Sequence, residues 1–288
     1  MGSLRVSPAG GTKGRNLTLA VSLLENGTHL MARVLVAAVV LLWLLPTPAS
    51  AYSVLTHEAI IDAAWDKDIV PALKKRFPDA TPDDLIHAHA YAYGGCILQD
   101  MGYYPFGSKF FSDLLHYVRS GDFVEAMFHQ SQTLDDYAFA YGSLAHYFAD
   151  INGHSLAVNR AVPIEYPQLR KKHGNVVTYE QDPTAHIKTE FGFDVLQVAH
   201  GRYAPQAYHD FIGFEVDKEL IDRALAETYG LRLDDVFGAK SLAFGSYRRA
   251  VSKTIPLATH VAWQLKKKEI VKEQPGITRR KFLYKIRQ

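Results

Sequence analysis

Two pairs of side chains stand four residues apart, His146 with Asp150 and His186 with Glu190. On a helix, residues i and i+4 share a face, so both members of a pair can reach one ion. Imidazole plus carboxylate suits zinc, which takes nitrogen and oxygen ligands. In a chain with 13 histidines one such pair is expected by accident, as a surface ion pair. The setting of the first pair argues for more than that. Residues 137–151 are otherwise apolar, and an acid and a histidine on a buried face need a partner. His154 follows Asp150 at the same spacing.

These side chains must be positioned by helices. Beyond Tyr52 the apolar residues recur with helical period and almost no strand-like alternation. Thr81 as cap, Pro82 at the first helical position and Asp83 and Asp84 in the first turn mark a helix start. That helix is expected to run to Gly94-Gly95. Ser108 opens another to Val118. Residues 121–150 read as helical, with a break at 131–133. Asp182-Pro183 starts a helix to Ala199, and 208–228 and 240–272 complete the set. Pro163, Pro167 and the stretch 171–174 read as a loop. The fold class is all-α, a single multi-helix domain over 52–274 with no internal repeat.

The N-terminal part reads as an address. In residues 31–51, Arg33 supplies a positive flank and 34–45 is an uninterrupted apolar run. Pro46 and Pro48 break it, and Ala49-Ser50-Ala51 is a small-residue cleavage site. This is the layout of a secretory signal peptide, with an apolar core short for a membrane span. The alternative is a short membrane anchor. Residues 1–30 read as an unstructured extension, with Met31 as the natural start and Tyr52 as the first mature residue. The expected location is secreted or periplasmic.

The formal net charge is +2, so nothing global points to nucleic acid. Residues 266–287 are strongly basic, and 275–288 form a basic tail. Such a run is either a solvated helix end or a contact with anionic membrane or nucleic acid. Cys96 is the single cysteine, which excludes an intrachain disulfide. A histidine-rich chain without disulfides fits an exported protein braced by metal.

The ordered series Tyr52, His57, Asp100, His116, His146-x-x-x-Asp150, His154 and His186-x-x-x-Glu190 resembles the ligand series of bacterial zinc-dependent phospholipases C. Fungal single-strand-specific nucleases share that fold and series. The resemblance implies an all-α domain with up to three zinc ions. One would take Asp100, His116, His146 and Asp150. A second would take His154, His186 and Glu190. A third would take His57, Asp150 as a bridge, and the amine and carbonyl of Tyr52, so that the unprocessed precursor could not complete it. The family usually has tryptophan where Tyr52 stands, and the gap between Asp150 and His154 is shorter than in the relatives. Asp113, one turn before His116, is a rival to Asp100. The remaining histidines read as structural or solvated.

The resemblance also implies hydrolysis of a phosphodiester by attack of water on phosphorus, with Asp100 as general base. Glutamate at Glu190 leans toward the phospholipases, since the nucleases carry aspartate there. The expected substrate is a phospholipid; the alternatives are single-stranded nucleic acid, or zinc binding in an exported protein without activity. Tyr103, Tyr104 and Phe106 lie between two ligands and could cage a quaternary ammonium head group or stack bases. They and their neighbours Phe110 and Phe111 could equally be core, the role expected of the last two.

Overall fold

Helical period is realised as helix throughout the computed structural model, which describes residues 54–199, 214–249 and short pieces between 263 and 279. The chain divides into two units, Met1–Pro48 and Ala49–Gln288, and every described residue belongs to the second. The described helices are α1 (Val54–Ala64), α2 (Val70–Arg76), α3 (Pro82–Gly95), α4 (Lys109–Tyr117), α5 (Ser120–Gln130) and α6 (Leu134–Gly153), then α7 (Asn159–Glu165), α8 (Pro167–His173), α9 (Pro183–Ala199), α10 (Lys218–Tyr229), α11 (Leu233–Val236) and α12 (Lys240–Arg249). A π-turn, Trp65–Ile69, joins α1 to α2, and a second, His154–Val158, joins α6 to α7; Leu98–Tyr103 is a 3₁₀ turn. The described residues contain no strand, which makes the domain all-α. None of their helices is long and apolar enough to cross a membrane.

Local chemistry sets the helix starts. Thr81 accepts the Asp84 N–H while the Asp84 carboxylate accepts the Thr81 N–H, a reciprocal cap for α3. Ser108 caps α4 and Thr133 caps α6 in the same way, each accepting a first-turn N–H. Each such cap contributes about 1 kcal/mol. The break expected at 131–133 is the α5–α6 junction.

The centre of the domain is the crossing of α3 on α6. Two glycines let the backbones touch: a Cβ on Gly95 would stand 2.0 Å from the Phe139 carbonyl oxygen, and one on Gly142 would stand 2.1 Å from that of Ala92. Any side chain at either place would push α6 away. Tyr93, Ile97, Leu98, Phe111, Phe123 and Phe139 close the core around this crossing. The result is that the end of α3 and the middle of α6, which carries His146, are held at fixed distance.

Three expectations need correction. Pro163 and Pro167 were expected in a loop, yet they sit in α7 and α8. Pro167 occupies the first turn of α8, where its missing N–H costs nothing. Pro163 cannot donate to Asn159 O four residues back, and that carbonyl instead accepts the Val177 N–H at 2.8 Å. The third correction concerns 208–228, where residues 214–217 form no regular secondary structure and the helix starts at Lys218, capped by Asp217. The signal segment, Tyr52, residues 208–213 and most of 250–288 lie outside the described residues; in the basic C-terminal stretch, Lys267, Lys268, Lys272 and Arg279 are exposed.

Candidate metal centre

Six elements converge on one cleft. α1 brings His57, the 3₁₀ turn Asp100, the last turn of α4 His116, α6 His146 and Asp150, the π-turn His154, and α9 His186 and Glu190. Asp150 stands in the middle. Its Oδ2 lies 3.2 Å from both His116 Nε2 and His146 Nε2, and its Oδ1 lies 3.7 Å from His57 Nε2 and from His154 Nε2. Asp100 Oδ1 is 3.5 Å from His116 Nε2. Glu190 Oε1 is 2.6 Å from His186 Nδ1 and 3.5 Å from His154 Nδ1. Three sets have ligand atoms within 4.8 Å of one another: His57, His146 and Asp150; Asp100, His116 and His146; and His154, His186 and Glu190.

The ring orientations indicate what such a centre can hold. His146 Nδ1 donates to Cys96 O at 2.9 Å, His116 Nδ1 to Ser112 O at 2.7 Å, and His186 Nε2 to Asn159 Oδ1 at 2.7 Å. A carbonyl only accepts, so in each neutral ring the proton is on the outer nitrogen and the lone pair faces inward. The inner nitrogens of His116 and His146 meet at 3.4 Å. Asp100 Oδ2, Asp150 Oδ1 and Glu190 Oε1 are buried with no hydrogen-bond donor. Lone pairs and carboxylates gathered out of water repel one another unless a cation sits between them. The donor set of nitrogen and oxygen fits a zinc-like divalent ion, with outer nitrogens oriented as metal-binding imidazoles usually are.

Electrostatics follow from the crowding. Burial raises the pKa of Asp150, but His146, His116 and His57 more than offset it and hold the carboxyl well below its usual range. Burial, reinforced by Asp100, Asp150 and Asp194, pushes Glu190 well above the usual carboxylate range. Burial and then His154 lower His186 to about 4, and burial with His146 lowers His57.

All eight described ligand candidates meet here, while Tyr52 lies outside the described residues. Asp113, the rival to Asp100, is spent in a surface ion pair with Lys109 at 2.6 Å. Of the three aromatic candidates only Tyr103 lines the cleft. Tyr104 is buried against Tyr247, and Phe106 is on the surface with a φ of 62°, so the chain turns away after Tyr103. Phe111 is core, as expected, but Phe110 is exposed. The cleft, about 270 Å³, is walled instead by Tyr103, Tyr117, Tyr147 and Tyr179, with Gln99, Ile151, Thr178 and Glu180. His87 and His129 are exposed in ion pairs with acids, and His89 stacks on Trp65; none belongs to a ligand set.

Two further residues position the centre without a sequence motif. Asp194, one turn beyond Glu190 on α9, accepts the Leu55 N–H at 3.3 Å and the Thr56 hydroxyl at 2.7 Å, tying the start of α1 and hence His57 to α9. Asn159 fixes the His186 tautomer. In a π-turn residues five apart stack, so the turn at His154–Val158 brings Asn159 round to the side of His154. Asn159→Ala should weaken metal binding by about 10- to 100-fold, the usual cost of losing such a partner. Competitive metal titration measures it; an unchanged affinity would show that the His186 tautomer is set elsewhere.

A family model described as zinc dependent phospholipase C matches residues 56–239. No curated protein and no solved structure matches the chain.

Proposed function

The chain belongs to the zinc-dependent phospholipase C family, and from that premise we propose that it cleaves a phospholipid to diacylglycerol and a phosphorylated head group. Zinc-dependent phosphodiester hydrolysis is the chemistry of the family, and three potential metal-holding sets occupy the cleft. The observation that carries the reading is that His116, His146 and His186 each turn one ring nitrogen to a carbonyl and the other toward the buried carboxylates of Asp150 and Glu190, beside an open cleft. Bound there, zinc supplies Lewis acidity, lowering the pKa of water toward neutrality and neutralising charge on phosphoryl oxygens.

The chain's own groups divide the remaining work. Asp100, which lines the cleft with Oδ1 turned toward His116, would take a proton from the attacking water. His57, Asp150 and the amine of Tyr52 would complete a third ion site once residues before Tyr52 are removed, which accords with export. Tyr103, Tyr117, Tyr147 and Tyr179 line the substrate's path and would meet the head group. Glu190 in the last pair matches the phospholipases that the series resembles. The basic C-terminus would add contact with anionic membrane.

The test is turnover by the zinc-loaded protein of phosphatidylcholine against single-stranded DNA. Phosphorylated head group should be released, with DNA left intact. Nucleotide release with no turnover of any phospholipid would replace this reading with the nuclease one.

A further inference from the structure

Residues 134–165 form one continuous helical run, α6, the π-turn and α7. One side of it carries His146, Asp150 and His154 to the centre and then buries Val162 and Pro163. The other side is bare. Phe148, Ile151, Leu156 and Ile164 are 55%, 52%, 65% and 73% exposed. Leu156, Arg160 and Ile164 repeat every four residues, so they make one outward stripe with a cation in its middle. A helix facing only water would place polar side chains there, and clustered exposed apolar groups mark an interaction surface.

We propose that this face seats the protein on a phospholipid bilayer, with the cleft opening against the lipid. The inference rests on the phospholipid reading of the centre. Two observations choose the occupant. The face is continuous with the cleft: Ile151 from one wall and Tyr117 from another both line the cleft and are more than half exposed, so whatever covers the face also covers the mouth. The charge is also complementary. Arg160 sits within the stripe and Arg170, Lys171 and Lys172 are exposed on the adjoining α8, against Glu165, Glu180 and Asp182 over residues 154–182. Apolar tips interleaved with a basic excess suit lipid tails beneath a layer of phosphates.

The experiment compares the zinc-loaded protein with the triple variant Phe148→Ser, Leu156→Ser, Ile164→Ser, and with Arg160→Glu. None of these residues lines the cleft. Sedimentation with phosphatidylcholine vesicles containing phosphatidylglycerol reads docking; turnover of dihexanoylphosphatidylcholine below its micelle concentration reads the cleft alone. The triple variant should lose vesicle partition by at least about tenfold, because partition scales with the apolar surface inserted. Its turnover of monomeric lipid should stay within about twofold, since no transition-state contact is removed. Arg160→Glu should lose about fivefold or more on the anionic vesicles, the factor for ~1 kcal/mol per basic side chain. Unchanged vesicle binding by the triple variant overturns the proposal. So does a wild-type dimer in ultracentrifugation that the triple variant fails to form while its vesicle binding persists, because the face would then pair two copies of the chain. Vesicle binding through this face with no turnover of either lipid form leaves the docking surface standing and removes the phospholipase reading instead.

Discussion

Asp150→Ala should abolish activity, by about a thousandfold or more, and strip metal from more than one set at once, because a metal's binding energy is also folding energy. Asp150 faces four rings of the centre: His57 and His154 at Oδ1, His116 and His146 at Oδ2. Removing it leaves those rings buried without their counter-charge and leaves an ion short of a ligand. Zinc content per chain should fall, and the melting temperature with it. His87→Ala is the control. His87 pairs with Asp135 at 2.9 Å on the surface, and an exposed pair of this kind contributes about 0–1 kcal/mol. Zinc content, turnover and melting temperature measured on both variants decide the matter. Equal losses would mean that the centre holds no metal.

Chelation should destabilise the protein by an amount that depends on pH in a defined direction. In the metal-free chain burial lowers the pKa of His116, but the carboxylates of Asp100 and Asp150 more than offset it and push it up to about 10. A histidine raised in this way contributes stability that is fully present below its unfolded value of 6.5 and is lost as pH rises through about 10. Zinc requires the same nitrogen deprotonated, so its affinity rises over that window. The melting-temperature gap between zinc-loaded and chelated protein, of order 10 °C at neutral pH, should widen from pH ~6.5 to ~8.5. Near pH 7 zinc binding should release about one proton or more per chain. A gap that narrows with rising pH, or binding without proton release, would show that His116 gives no nitrogen to the ion. Below pH 6.5 the metal-free chain is itself destabilised by acid, because His57, His154 and His186 are all lowered by burial and resist protonation in the folded chain, while the gap keeps its direction.

The ligand candidates were legible because metal chemistry restricts residue type and helix geometry restricts spacing. His146 with Asp150 and His186 with Glu190 announce themselves at four residues, and Thr81 and Ser108 announce helices that carry or flank them. The loop expected around Pro163 fails for a reason no local rule contains. Proline breaks a helix by stranding a carbonyl, and here Val177, far along the chain, satisfies it. The aromatic candidates fail similarly. Tyr103, Tyr104 and Phe106 are neighbours in sequence, but a 3₁₀ turn and a positive φ send them to the cleft, the core and the surface in turn.

By itself, then, the amino-acid order determined an all-α domain and a family, and it named eight groups that the structure brings together. All of these depend on side-chain type and on periodicity within single helices. The tertiary structure alone decided that Asp150 is the hub and which nitrogen of each ring faces inward. It also decided that Asn159 and Asp194 hold the ligands, and that Tyr117, Tyr147 and Tyr179 wall the cleft. Those features rest on backbone carbonyls such as Cys96 O and Ser112 O, and on contacts between segments up to 139 residues apart. Every residue carries a backbone carbonyl, so its use as an acceptor leaves no mark in sequence. Only the close crossing at Gly95 and Gly142 brings the carbonyl of Cys96 to His146.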